Sequence, residues 1–292
     1  MRLIGLLKIS FILMIDAMVL SYLIRDERIV VVIVGCLCVY IFLGGYIELF
    51  KECAVKMEDL PAYEREKMQA VKSMLVGSVK EKSGFNISSY KFYLTSEEEM
   101  NATAYGGRCM SVTKAAFQNA DISTLTAVMA HEAAHLLHYD PEVNRTIFAT
   151  VTMLFCIVSI MSFTTMIVFF LIGLLLSFFF FRSFVGVMTY RWIQRCLKSL
   201  FALAQRIIVE IYLISIGMLS KHAEYRADNY SCQLGYGVQL ANFLELAAPE
   251  PNKKLGLTEV LHRNHPSTYK RLAKIERYIN NNKETIEKGE IL

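Results

Sequence analysis

The stretch His131-Glu132-Ala133-Ala134-His135 decides how the rest of this chain is read. On a helix, residues four apart share a face, so the two imidazoles project side by side and can grip one metal ion. Glu132, one step round from His131, can reach a water held by that metal and serve as general base. The pattern is the H-E-x-x-H of zinc peptidases. Five residues are a short signal, so its weight rests on what surrounds it.

At 292 residues and 54% apolar, with positive mean hydropathy, the chain is too apolar for an ordinary soluble domain. The excess is localised. Leu3 to Ile24 is an apolar run broken by Lys8 and Asp16, and Arg25-Asp26-Glu27-Arg28 separates it from a second run, Ile29 to Phe50. Each is about long enough to cross a ~30 Å hydrocarbon slab as a helix. A cleaved signal peptide is the rival for the first run. Lys8 splits it, no small-residue cleavage site follows and another apolar run begins at once, so two spans are expected. Ile147 to Phe181 carries no charge, and Leu200 to Leu219 is apolar except for Gln205, Arg206 and Glu210. The expected division is two membrane helices in 1–50, the first half of a catalytic domain in 51–145, a membrane insertion in 146–219 and the second half in 220–292.

A site shared by both polar halves requires 146–219 to cross the membrane an even number of times. Two crossings, four spans overall, is the preferred arrangement. A straight helix over Ile147 to Phe181 would be ~52 Å long, beyond a bilayer. The following loop carries Arg182, Arg191, Arg195 and Lys198 without an acidic residue, and the preferred arrangement puts it outside, against the positive-inside tendency. The alternative is a tight hairpin within Ile147 to Phe181, with Leu200 to Leu219 at the interface. Seven cysteines without paired spacing suit reduced thiols and a catalytic part facing the cytosol. The net charge of +4 is small and clusters beside the spans, which speaks for membrane orientation rather than nucleic-acid binding.

The polar stretches read as α+β with helices dominating. Asp59 as N-cap, Pro61 in the first turn, apolar Met68, Val71, Leu75 and Val79, and a stop at Gly84 predict one helix. Tyr90 to Leu94, Asn101 to Tyr105 and Cys109 to Thr113 read as strands, the last two joined by a turn at Gly106-Gly107. Asp121 or Ser123 caps a helix that carries HEAAH and ends near Tyr139. Later helices are expected over Ser220 to Leu234, Val238 to Ala247 and, after a loop with Pro249, Pro251 and Pro266, Thr268 to Asn280, where Leu272, Ile275 and Ile279 recur at helical spacing.

A catalytic zinc needs three protein ligands and an open position. A metzincin would continue HExxHxxGxxH, but its glycine position here is His138 and its last histidine position is Pro141. The remaining common option is a glutamate on a later helix. Glu224, in Lys221-His222-Ala223-Glu224-Tyr225-Arg226-Ala227-Asp228, is the best candidate. Asp228, one turn on, can accept a hydrogen bond from a ligand imidazole. Taken alone these two acids would be a solvated helix face; HEAAH upstream reverses that reading. His138 is expected to flank the site rather than to be a ligand. Asp16 sits in an apolar run with Lys8 two turns away and is given no role, and Arg206 one turn earlier accounts for Glu210.

Four ordered motifs make the chain resemble the membrane metallopeptidases of the HtpX heat-shock protease and CAAX prenyl protease group, which are gluzincins. Asn101-Ala102-Thr103-Ala104-Tyr105-Gly106 is similar to the Asn-Ala-x-Ala edge-strand motif, and HEAAH with Asp140 to HExxHxxxxD. Glu224 to Asp228 matches E-[FY]-x-A-D, and His265-Pro266 to Arg271-Leu272 matches His-Pro-x4-Arg-[IL]. The resemblance implies a mainly α fold with a small sheet, multi-pass membrane helices and a zincin-type domain. It implies one zinc on His131, His135 and Glu224, with Glu132 activating water and zinc polarising the scissile carbonyl. Asn101, Ala102, Thr103, Ala104 and Tyr105 would offer an edge for an extended peptide. His265 would reach over the zinc as oxyanion donor or gate. Arg271 would anchor its loop to an acid such as Asp140, which stands with Asp228 behind the ligands. The expected partners are polypeptides, chiefly misfolded or membrane proteins, and the bilayer of a plasma or inner membrane. The competing readings are an intramembrane protease, a CAAX-processing enzyme and a non-catalytic adaptor with a structural zinc.

Overall fold

The computed structural model describes residues 2–177, 184–247 and 266–282. Arg2–Leu23 (α1) and Glu27–Lys51 (α2) are the two N-terminal apolar helices. Asp26 caps α2 by accepting from the Arg28 amide, which stops α1 and starts α2 within three residues. A four-stranded sheet follows: β1 (Val55–Lys56), β2 (Lys91–Thr95), β3 (Ala102–Gly106) and β4 (Cys109–Thr113). Its order is β1-β2-β4-β3, with β2 and β4 parallel and the other pairs antiparallel. β3 is therefore an edge. The hairpin joining β3 to β4 runs through positive φ at Gly106, Gly107 and Arg108, a conformation that glycine adopts without steric cost.

The α3 helix (Ala62–Ser83) buries Met68, Val71, Leu75 and Val79 along one face and ends on Gly84 in the left-handed conformation. Its start differs from expectation. Asp59 belongs to a short 3-10 turn, Met57–Asp59, and Pro61 is the cap residue, because proline presets φ and has no amide hydrogen to satisfy. Sequence reading also overlooked β1 and the short α4 (Lys114–Asn119). Thr113 caps α4 through its hydroxyl, a local signal at the end of a strand.

The α5 helix (Ile122–His138), capped by Asp121, is buried without a break from Thr124 to Ala134 and ends at Tyr139 with φ 59°. Helix α6 (Asp140–Ser177) starts on the next residue. The α7 helix (Phe184–Gln233) runs uninterrupted into the second polar stretch, so no new helix begins at Ser220. Arg191, Arg195 and Lys198, expected in a loop, lie on this helix, because nothing from Phe184 onward breaks it. Gly235, at φ 92°, ends that course, and α8 (Gly237–Ala247) and α9 (Thr268–Asn281) complete the described chain.

The chain forms two compact units: Met1–Thr146 with Gly217–Leu292, and Ile147–Ile216. In the first, one sheet face carries Phe92, Leu94, Met110 and Val112 into a core shared with α3, α5, α8 and Ile275 of α9. The other face packs Tyr93, Tyr105 and Cys109 against Leu49 of α2. In the second, Gln205 donates to Ser159 Oγ at 2.9 Å and Tyr190 OH to the Phe169 carbonyl at 2.9 Å, so the two helical arms run side by side. Stretches α1, α2, Asp140–Leu175 and Met188–Gln233 are each long and apolar enough to cross a membrane, and the chain is a multi-pass membrane protein.

Candidate metal centre

Helix α5 brings His131 and His135 to one face, and α7 is fastened across it. Ser231 Oγ donates to the Ala127 carbonyl at 2.9 Å, and buried Ala127, Ala130, Ala134 and Ala227 leave room for the close approach. Glu224 thereby faces both imidazoles. The two Nε2 atoms are 3.2 Å apart. Glu224 Oε2 lies 3.4 Å from His131 Nε2, and Oε1 lies 3.8 Å from His135 Nε2. One ligand atom from each residue falls within a 4.8 Å group.

Each imidazole is held from behind. His131 Nδ1 meets Asp228 Oδ1 at 3.0 Å, and His135 Nδ1 meets Asp140 Oδ2 at 2.9 Å. Hydrogen bonding at Nδ1 assigns the proton there and leaves the Nε2 lone pairs aimed at each other. Each carboxylate is in turn clamped by a guanidinium. Arg271 makes a two-point contact with Asp228, at 2.9 and 2.6 Å, and Arg226 reaches Asp140 at 2.6 Å. Arg271 Nη1 also sits 3.0 Å from Glu224 Oε2. The expected pairing of Arg271 with Asp140 is therefore corrected: α9 sets Arg271 against α7, and Asp140 takes Arg226 instead.

This donor set fits a zinc ion. Four tetrahedral ligands at ~2.0–2.1 Å stand about 3.3–3.4 Å from each other, close to the two shorter separations here. Two facing lone pairs otherwise need a proton between them. Burial opposes charge on His131, but the Asp228 and Glu224 carboxylates outweigh it and push the imidazole up to about 10. A cation is thus favoured at that position. Burial also pushes the Glu132 carboxyl up, against the pull of His131 and His135, so this residue holds a proton more readily than an exposed glutamate.

His138 stays outside the three-residue group. Burial, then the Arg226 charge, hold its imidazole down to about 4. His265 lies outside the described residues. Asn101 precedes β3, exchanging main-chain and side-chain bonds with Thr113, and its Oδ1 accepts from the Ala102 amide at 2.9 Å. Thr103 and Ala104 are half-buried. Tyr105 is placed differently: a register shift between Ala104 and Gly106 turns it inward, its hydroxyl against Glu52 and its carbonyl against Arg145. Arg145 is held by Glu48 at 3.0 and 3.2 Å. Sequence reading missed Arg226 and Arg145. Arg226 carries a signal, since it stands inside the Glu224 to Asp228 segment, whereas nothing local marks Arg145.

A family model for peptidase family M48 matches residues 65–279, and the chain belongs to that family. It is similar in structure to the S. mikatae protein of "Crystal Structure of S. mikatae Ste24p", with 18% identity and a TM-score of 0.53, over 91% of this chain and 62% of that one. The chain thus spans about three fifths of that relative, and at this identity the likeness speaks for the fold. No curated protein matches it in sequence. The group indicated by the four motifs is the group found.

Proposed function

We propose that the chain is an integral-membrane zinc endopeptidase. The carrying observation is the convergence of His131, His135 and Glu224, each imidazole backed by its own carboxylate–guanidinium pair. Zinc, when bound there, would supply Lewis acidity toward the scissile carbonyl and the attacking water. Glu132 takes the proton from that water and delivers it to the departing amine, a task suited to a carboxyl whose proton affinity burial has raised. Asp228 and Asp140 hold the imidazoles in the tautomer that leaves Nε2 free. The outer edge of β3 orients an extended peptide by main-chain hydrogen bonds.

That mode tolerates varied side chains and suits clearance of misfolded or misassembled membrane polypeptides. The catalytic unit faces the cytosol in this reading, which the unpaired cysteines support. The test is Glu132→Gln, with zinc content measured beside cleavage of an unfolded protein. Full zinc with cleavage reduced at least ~100-fold, the lower range for loss of a general base, is expected. Unchanged cleavage would refute the mechanism.

A further inference from the structure

The second unit, Ile147–Ile216, carries a feature that proteolysis does not use. Between the inter-arm hydrogen bonds of Ser159 with Gln205 and of Phe169 with Tyr190, both arms turn polar together. The first arm has Ser162, Thr164 and Thr165; the second has Arg191, Gln194, Arg195 and Lys198. On either side of this band the first arm is apolar again, through Met153–Val158 and Met166–Leu176. Arg191, Arg195 and Lys198 are exposed and, four and three residues apart, share one strip of the helix. No acidic residue occurs anywhere from 143 to 209, so the nearest carboxylate of its own arm, Glu210, stands twelve residues, about three turns, beyond Lys198.

The apolar arm over Ile147–Ser177 is ~46 Å long at 1.5 Å per residue, longer than the ~30 Å hydrocarbon core. Three cations in that length are costly unless anions or water reach them. We propose that Arg191, Arg195 and Lys198 form a binding site for the headgroups of anionic phospholipids. The phosphate meets the guanidinium and ammonium groups, and the acyl chains lie along the exposed apolar flank, where Phe163, Phe170 and Leu203 stand open. Trp192, 66% exposed beside the strip, has the amphipathic ring that favours the headgroup level. A cationic strip flanked by open hydrocarbon surface matches an amphiphile; a free anion would use only the strip, and an acidic soluble protein would leave the flanks in water.

The test reconstitutes the full chain in nanodiscs of mixed phosphatidylcholine and phosphatidylglycerol, releases it gently and counts retained lipids by native mass spectrometry. The wild type should enrich phosphatidylglycerol over the bulk ratio. Neutralising Arg191→Gln, Arg195→Gln and Lys198→Gln together should bring retention down to the bulk ratio, since three cations at about fivefold each amount to roughly a hundredfold near an anionic surface. Arg191→Lys with Arg195→Lys should keep most of it. If the neutral variant fails to insert, the wild type still decides: enrichment must weaken between 0.1 and 1 M salt, as screening requires, and resist an equal concentration of inorganic phosphate. No enrichment in the wild type, equal enrichment in the neutral variant, salt-insensitive retention, displacement by inorganic phosphate, or capture of an acidic protein without any lipid preference would each overturn the proposal. None of these readouts depends on peptide cleavage.

Discussion

His131 and His135 each use one ring nitrogen for a carboxylate and present the other to a common point. At the scale of single residues, this makes the outer carboxylates as consequential as the residues proposed to hold the metal. Asp228→Asn keeps the shape but removes the charge that orders His131, and metal affinity should fall about 10- to 100-fold, read by competition with a fluorescent chelator. His138 makes a different prediction. Its folded-state value of about 4 lies below the ordinary 6.5, so the unfolded chain takes up this proton first as pH falls. Its contribution to stability is therefore complete above about pH 6.5 and is lost progressively toward pH 4. Melting curves in detergent over that window should show a shallower acid decline for His138→Gln than for the wild type. Equal slopes would assign the decline to other groups.

Among the elements, β3 has two ends with different fates. The Thr113 amide donates to the Asn101 carbonyl, so Asn101 pairs inward and, by strand alternation, Ala102 and Ala104 present their main-chain groups outward. Beyond them Arg145 takes the Tyr105 carbonyl, and α2 approaches so closely that a Cβ on Gly45 would collide with that same oxygen. The open edge is then short, Ala102 to Ala104. Ala104→Pro removes an outward amide without touching the inward ladder. It should raise KM for an extended peptide about tenfold, the worth of one or two main-chain hydrogen bonds, while zinc content stays constant. Parallel loss of zinc would mean that the strand had collapsed.

For the whole molecule, the proposed metal would join parts far apart in the chain: α5 near the middle, and Glu224 after the compact unit Ile147–Ile216. A ligand that binds only the folded state stabilises it by mass action, about 2.7 kcal/mol at a hundredfold excess over Kd. Chelation should therefore lower the Tm of the wild type and leave that of Glu224→Ala, already without its third ligand, almost unmoved. An identical drop in both would separate the metal from Glu224.

Much of this was legible along the chain because it depends on local chemistry. Apolar length marks membrane helices, the 3.6-residue period marks α3 and α5, and the i, i+4 imidazoles share a face wherever the helix goes. Gly84 and Gly106-Gly107 announce their turns, because positive φ suits residues without a Cβ. What spacing could not state is which arginine meets which aspartate. Asp140 and Arg226 are distant in sequence, as are Asp228 and Arg271, and many pairings satisfy charge alone. Only the packing of α7 and α9 on α5 selects these two. The same holds for the inward turn of Tyr105 and the parallel pairing of β2 with β4, where non-local packing chose among partners that were locally equivalent.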